Sequence, residues 1–497
     1  MRKNGVLMPI FSLPSRYGIG TLGKEAYRFI DFLAAAGQSY WQILPIGPTS
    51  CSDSPYQSFS TYAGNPYFID IEELIEKGLL LEEEADSFDF GDNPSAIDYG
   101  KLFENRLPLL RLAFARFEQD DEYREFCRRN SYWLDDYALF MAIKQSLELR
   151  PWSEWPEPLK RREETALAAA KAELITEIEF HKFLQFLFSC QWGKLKTYAN
   201  RNGIEIIGDI PIYVALDSAD VWANTADFQL DENLYPTAVA GCPPDAFSED
   251  GQLWGNPLYN WAKMKKDGFA FWCRRLSFAL SVYDMVRIDH FRGLEAYYSI
   301  PYGEKTAKNG VWKKGPGMSL FNAFKTSVGA KLPLIAEDLG FLTEDVLALL
   351  KKSGFPGMKV LQFAFDSREE SDYLPHNYTR NCVVYTGTHD NDTIKGWCSS
   401  APAEDVAFAY RYLGLSENEE LVWPLMRAAM ASVADTCILC MQDLIGLDSE
   451  GRINTPGVLY GNWRWRIDGG CINDWLAKII YDTTALYGRL NNKKTEE

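Results

Sequence analysis

Long apolar runs are absent from this chain of 497 residues. No stretch approaches the roughly 18 consecutive apolar residues that a membrane span needs, so we expect neither a membrane anchor nor a membrane partner. Residues 1–11 combine a basic tip with a short apolar run, but Pro9 interrupts the run and no small-residue cleavage site follows. A first strand fits these residues better than a signal peptide. We therefore expect a cytoplasmic protein whose ten cysteines are reduced thiols.

Positive charge and histidine are also scarce. Lys and Arg number 51 against 69 Asp and Glu, which gives a net charge of −18. A chain this acidic repels polyanions, so we expect no nucleic-acid partner. The pair His389–Asp390 is typical of metal-dependent phosphohydrolases, but those need several more histidine ligands and the chain has only four histidines. Cys437 and Cys440 have no second pair or nearby histidine to complete a zinc site, so we expect no metal.

A glycine-rich segment, GIGTLG at residues 18–23, fits the G-x-G-x-x-G pattern of dinucleotide sites. In that fingerprint a tight turn joins a strand to the first glycine, and the next strand ends in an acid that holds the ribose. Here residues 12–17 separate the strand from the first glycine, and the apolar run 43–46 ends without an acid. The better interpretation is a glycine-rich loop, and we expect no nucleotide cofactor.

Eight short apolar runs recur along the chain, each followed by a turn and a helical pattern. They are residues 5–12, 39–46, 204–214, 283–289, 333–338, 357–365, 382–388 and 437–444. Strands that alternate with helices in this way predict the α/β class and a (β/α)8, or TIM, barrel. The wide gaps after the second and third runs predict helical and loop insertions at 50–203 and 216–282. No Pro/Ser/Gly-rich linker divides the chain, so we expect residues 1–497 to form a single barrel domain.

Three carboxylates each stand at the end of an apolar run. The motifs are VRIDH at 286–290, LIAED at 334–338 and YTGTHDND at 385–392. Barrel enzymes use acids at the carboxyl ends of their strands for chemistry, and two carboxyls with a helper can cleave a glycosidic bond. Arg287 and Asp289 share one strand face, so the cation can keep the acid ionised. An ordinary buried ion pair explains the same spacing equally well.

Further motifs extend over nearly the whole chain. They are DSPYQS at 53–58, GNPY at 64–67, GDIPIYV at 208–214, DSADVW at 217–222, GCPPDAFS at 241–248, GQLWGNP at 251–257, RIDHFRG at 287–293, AEDLG at 336–340, THDN at 388–391 and NWRWR at 462–466. In this order they resemble the motifs of the 4-α-glucanotransferases, also called amylomaltases or disproportionating enzymes, which are relatives of the α-amylases. The resemblance implies an enzyme that transfers α-1,4-glucan segments between maltooligosaccharide donors and acceptors, with glucose as a further acceptor. It implies no metal and no organic cofactor.

The resemblance also implies a role for each acid in a two-step retaining reaction through a covalent glucosyl–Asp intermediate. Asp289 would be the nucleophile, Glu337 the general acid/base and Asp390 the stabiliser of the transition state. Glu337 then needs a raised pKa, and the carboxyls of Asp289 and Glu337 are expected about 5–5.5 Å apart. Residues 240–257 would form a lid. The substrate-binding residues implied by the resemblance are Tyr56, Asp209, Trp254, Arg287, His290, His389 and Asn462.

Two alternatives use the same residues. An α-glucan hydrolase would have the same carboxylates with water as the acceptor, and a glucan-binding protein would have the same scaffold without turnover. The intact set of Asp289, Glu337 and Asp390 argues against binding alone, because binding needs no isolated acid held protonated. Cys51 stands where the family often has an aromatic of a second glucan-binding surface. The resemblance therefore does not extend to a second surface at residues 49–53.

Overall fold

The structure is a computed structural model that describes residues 2–50, 53–244, 248–340, 342–416 and 418–491. Cys51 and residues 245–247 of the expected lid lie outside the described residues.

Twelve strands occur in the described part of the chain, in two separate sheets. They are β1 Lys3–Leu7, β2 Tyr40–Gln42, β3 Glu205–Ile210, β4 Ala238–Cys242, β5 Gln252–Pro257, β6 Met285–Ile288, β7 Ala296–Pro301, β8 Val311–Lys314, β9 Leu334–Ala336, β10 Gly357–Val360, β11 Cys382–Tyr385 and β12 Thr436–Cys440.

The larger sheet is a barrel. Its eight strands are all parallel and follow the order β10-β11-β12-β1-β2-β3-β6-β9. The gap between β9 and β10 is bridged by the Ala336 N–H, which donates to the Pro356 carbonyl at 2.9 Å. The buried Asp338 carboxylate adds a second link, because it accepts the Met358 N–H at 2.6 Å. Each of the eight predicted runs overlaps one barrel strand, so the (β/α)8 prediction is confirmed.

Helices cover the outside of the barrel and fill its insertions. They are α1 Lys24–Ala35, α2 Ile71–Glu76, α3 Glu82–Asp86, α4 Tyr99–Arg116, α5 Asp121–Ser146, α6 Glu157–Lys160, α7 Glu164–Glu173, α8 Ile175–Arg201, α9 Ala219–Ala223, α10 Trp261–Lys266, α11 Ala270–Val282, α12 Met318–Ser327, α13 Glu344–Ser353, α14 Ile394–Ser400, α15 Ala403–Leu413, α16 Val422–Ala431, α17 Met441–Leu444 and α18 Asp474–Leu486. Seven of them, α2 to α8, lie between β2 and β3. Across the described ranges, no helix combines the length and apolar character of a membrane span.

The smaller sheet was not predicted. It is antiparallel, with the order β5-β4-β7-β8. Gly and Pro within β5 count against a strand, and β8 is exposed along its whole length. This sheet therefore forms because its strands pair with segments distant in sequence, and local propensity does not predict it. The segment expected to be a lid loop is a β-hairpin of β4 and β5, anchored through β4 to β7.

Gly208 of β3 is tightly packed against the outer layer. A Cβ at this position would lie 2.2 Å from the Tyr283 ring, which is far inside van der Waals contact. We expect Gly208→Ala to destabilise the protein by about 1–3 kcal/mol through overpacking, as measured by urea unfolding. Gly193 on α8 is the matched control, because a Cβ there meets no atom within 4 Å. Equal unfolding midpoints for Gly208→Ala and the unmodified protein would contradict this account of the packing.

Candidate functional site

Four acids meet at the carboxyl end of the barrel. Asp209 lies near the end of β3, Asp289 directly follows β6, Glu337 directly follows β9, and Asp390 comes five residues after β11. Parallel strands deliver the residues at their carboxyl ends to one rim. The local sequence thus places these acids, and side-chain contacts show how they are linked.

Arg287 is the cation at the centre of this cluster. Its Nη1 lies 2.6 Å from Asp209 Oδ2, and its Nη2 lies 2.9 Å from Asp289 Oδ1. The Arg287 side chain is almost completely buried, whereas 29% of the Asp289 side chain is exposed. Arg287 therefore fixes Asp289 from one side and leaves it open on the other.

Glu337 is held by the main chain. Its Oε2 accepts the His290 N–H at 2.6 Å, and its Oε1 accepts the Leu339 N–H at 2.9 Å. His290 has a positive φ of 49°, which directs its N–H toward the carboxylate at a cost in backbone strain. Both carboxylate oxygens are thus fixed, and only 9% of Glu337 is exposed.

The pKa values of Asp289 and Glu337 are both raised above the usual range. Burial is the main cause for each carboxyl, and Arg287 opposes the rise in both. The charge of Asp209 adds to the rise at Asp289. This differs from the expectation that Arg287 keeps Asp289 ionised, because the effect of burial outweighs that of Arg287, which also pairs with Asp209 at a shorter distance. Interacting carboxyls of this kind titrate as a pair in two steps, so a single proton is shared over an intermediate pH range.

Three packed rings lie beside Asp209 and are here called the aromatic wall. They belong to Tyr56, His389 and Trp463. The Tyr56 hydroxyl donates to Asp209 Oδ2 at 2.6 Å and lies 2.9 Å from His389 Nε2. Since the hydroxyl hydrogen goes to Asp209, His389 Nε2 is the donor to Tyr56. Burial lowers the pKa of His389, and its ring stacks on Tyr56 at 5.2 Å. Trp463 packs against both rings, with centroids 5.8 and 5.9 Å away.

Trp254 reaches the cleft from the β-hairpin. Its ring stands edge-on to the His290 ring, with centroids 4.8 Å apart and planes at 89°. Burial lowers the pKa of His290 to about 3, so this imidazole is neutral. Its Nε2 is buried and has no hydrogen-bond partner among the residues that the structure describes. A buried polar atom of this kind is costly unless a bound molecule completes its bonding.

Asp390 is bound by two residues that the sequence did not point to. Asn454 Nδ2 donates to Asp390 Oδ1 at 2.6 Å, and Arg452 Nη2 donates to the Asp390 carbonyl at 2.9 Å. Both precede the NWRWR motif, more than 60 positions from Asp390 along the chain. No local pattern marks such a contact, and only the fold shows it.

Asn462 has a different setting from the other predicted site residues. Its Oδ1 accepts the Thr455 N–H at 2.9 Å, and its Nδ2 donates to the Val458 carbonyl at 2.8 Å. These bonds shape the loop that contains Asn454 and Trp463. The remaining predicted residues form two contact networks, one of Tyr56, Asp209, Arg287, Asp289, His389 and Asp390, the other of Trp254, His290 and Glu337.

The acids at the rim are not arranged as the ligands of a metal ion. Within the described ranges, no group of three or more His, Cys, Asp or Glu residues is arranged to hold a metal ion. The positive charge that faces Asp209 and Asp289 comes from Arg287.

Comparisons with known proteins agree with this geometry. A family model described as 4-alpha-glucanotransferase matches residues 8–472. The 4-alpha-glucanotransferase of Clostridium butyricum is 50% identical over 486 residues, which cover 97% of this chain and 100% of that protein. That of Thermus thermophilus is 50% identical over 479 residues, which cover 94% and 95%. The solved structure of amylomaltase from Streptococcus agalactiae in complex with acarbose has a TM-score of 0.96 and 42% identity, covering 99% of this chain and 100% of that one.

The match spans the barrel, its insertions and all four acids at the rim. The chain therefore belongs to the 4-α-glucanotransferase family and is an enzyme of that family on a (β/α)8 barrel.

Proposed function

We propose that this enzyme transfers α-1,4-glucan segments between maltooligosaccharides, with glucose as a further acceptor, by a two-step retaining mechanism. The observation that carries the proposal is the pair of Asp289 and Glu337 on neighbouring strands, with raised pKa values and one cation between Asp289 and Asp209. A retaining reaction needs two such carboxyls about 5–5.5 Å apart, one of them protonated at the start.

In the first step Asp289 attacks the anomeric carbon. A bond forms between its carboxylate oxygen and that carbon, the glycosidic C–O bond breaks, and Glu337 gives its proton to the leaving oxygen. We place the shared proton on Glu337, because Arg287 contacts Asp289 directly. The partial exposure of the Asp289 side chain gives the donor sugar access to it.

In the second step an acceptor hydroxyl takes the glucosyl group from Asp289. Glu337 removes the proton from the acceptor oxygen, the new glycosidic bond forms, and the Asp289 carboxylate is released. Both carboxyls return to their starting states, and the configuration of the anomeric carbon is retained because it has been inverted twice.

The surrounding side chains would bind the donor sugar. We assign Asp390 to the sugar hydroxyls, with a grip that strengthens as the ring flattens in the transition state. Tyr56 and His389 would contribute the aromatic wall, with Asp209 holding Tyr56 and Arg287 in place. The free Nε2 of His290 would bind a sugar hydroxyl.

Whether a sugar hydroxyl or water accepts the glucosyl group would depend on how well the site excludes water. Trp254 lies over the His290 side of the cleft on a hairpin within the insertion 216–282, and a closed site both excludes water and strengthens its electrostatics. We assign the hairpin to this role. The same carboxylates would serve hydrolysis if water reached the intermediate.

The test is product analysis after incubation with maltotriose alone. We expect glucose together with a ladder of longer maltooligosaccharides and no net gain in reducing ends, since transfer conserves the number of glycosidic bonds. Chromatography combined with a reducing-end assay measures both quantities. Glucose and maltose with rising reducing ends would show a hydrolase instead.

A further inference from the structure

The segment 452–463, here called the clamp loop, makes hydrogen bonds to His389 and Asp390. Its two ends are joined, because the Trp463 N–H donates to the Ile453 carbonyl at 2.7 Å. It is also fixed to the catalytic segment, because the Asn454 N–H donates to the His389 carbonyl at 3.0 Å. The clamp loop and the residues next to Asp390 therefore form one hydrogen-bonded unit.

Side chains of the clamp loop then hold Asp390 at two points. Asn454 Nδ2 donates to the carboxylate at Oδ1, and Arg452 Nη2 donates to the main-chain carbonyl of the same residue. Arg452 Nε also donates to the Asn454 carbonyl at 2.9 Å, so the two donors are linked to each other. The other carboxylate oxygen, Oδ2, lies 3.4 Å from His389 Nε2.

We propose that Asn454 is a positioning residue for Asp390. The proposal rests on the role of Asp390 given above. The Asp390 side chain is 45% exposed, so its carboxylate would rotate among several conformations without a partner. The amide of Asn454 ties down Oδ1 and leaves Oδ2 for the sugar. An amide suits this task better than a cation, because it orients the carboxylate without neutralising its charge.

Asn454→Ala is the first test. We expect kcat for maltotriose disproportionation to fall about tenfold to hundredfold, the size of effect that misplacing a reacting group produces, with KM changed less than threefold. Thermal unfolding should show a folded protein. Asn105 on α4 is the matched control, because its amide donates to the Asp89 and Lys101 carbonyls away from the barrel rim. A kcat for Asn454→Ala within twofold of the unmodified enzyme would overturn the proposal.

Asn454→Asp separates positioning from a general structural role. This change sets a second carboxylate against Asp390 at hydrogen-bond distance, so the two repel each other at neutral pH and share a proton at lower pH. The other charged or titratable groups that the structure describes near Asp390 and Arg452 are Tyr56, His389, Asp289 and Asp392. These groups are the same in the unmodified enzyme. Dividing the activity of Asn454→Asp by that of the unmodified enzyme at each pH therefore isolates the effect of the new pair of carboxylates at 390 and 454. We expect this ratio to rise as pH falls.

A pH-independent loss in Asn454→Asp equal to that of Asn454→Ala would mean that the clamp loop is merely structural, and it would refute the proposal. Asp390→Asn serves as the reference variant. If Asp390→Asn keeps full activity, the assigned role of Asp390 fails and the present inference fails with it. If Asp390→Asn is inactive and Asn454→Ala is not impaired, only the positioning role is wrong.

Discussion

Asp289→Asn is expected to lower kcat for disproportionation by about 10⁴-fold or more, because an amide cannot form the glucosyl ester on which both steps depend. The fold should survive, since the amide oxygen can still accept from Arg287 Nη2 at the position now 2.9 Å away. The measurement is single-turnover and steady-state release of glucose from maltotriose. Asp345 in α13 is the matched control, because it is an exposed acid paired with Lys314 at the surface.

A small anion distinguishes loss of the nucleophile from loss of binding. In Asp289→Ala, azide can enter the space of the missing carboxylate and attack the anomeric carbon once, so the expected product is the β-glycosyl azide from an α-linked donor. This product would identify Asp289 as the group that normally attacks the β face of the anomeric carbon. An α-glycosyl azide from this variant would contradict the assignment.

Glu337→Gln is expected to lower kcat by about 10²–10⁴-fold, the usual contribution of a general acid/base. Glutamine keeps the shape of the side chain but has no proton to give to the leaving oxygen. A donor with a good leaving group, such as glucosyl fluoride, should regain most of the first step because it needs no protonation. Glu344→Gln, at an exposed position in α13, is the control. Unchanged turnover of maltotriose by Glu337→Gln would remove Glu337 from the mechanism.

The pH profile gives a second readout for the same residue. Burial raises the pKa of Glu337 above the usual range for glutamate, and the first step uses its protonated form. Because the proposed first step also needs Asp289 ionised, its rate should pass through a maximum where the pair holds one proton and then fall as pH rises through the pKa of Glu337. The descending limb should be absent from the residual activity of Glu337→Gln. If the fall in rate at high pH persists unchanged in Glu337→Gln, a group other than Glu337 is responsible for it.

The barrel and the place of its acids follow from local sequence. Each barrel strand is a short apolar run followed by a turn, and Asp289 and Glu337 directly follow their runs, so chain order alone puts them at the carboxyl ends. The i, i+2 spacing of Arg287 and Asp289 likewise fixes a common strand face. The motifs that span these residues were enough to suggest the family. For these features, the information lies within a few residues of each site.

Tertiary structure alone decided how the acids are partnered. Arg287 makes its shorter ion pair with Asp209, 78 positions away on the neighbouring strand β3, and burial by the surrounding segments raises the pKa of Asp289. Asn454 reaches Asp390 from a loop 64 positions later, and β5 becomes a strand only by pairing with β4. In each case the energy comes from contacts between segments distant in sequence. Periodicity and propensity describe only neighbours along the chain, so they determine the strands and the rim, whereas packing determines the pKa shifts and the orientation of the acids at that rim.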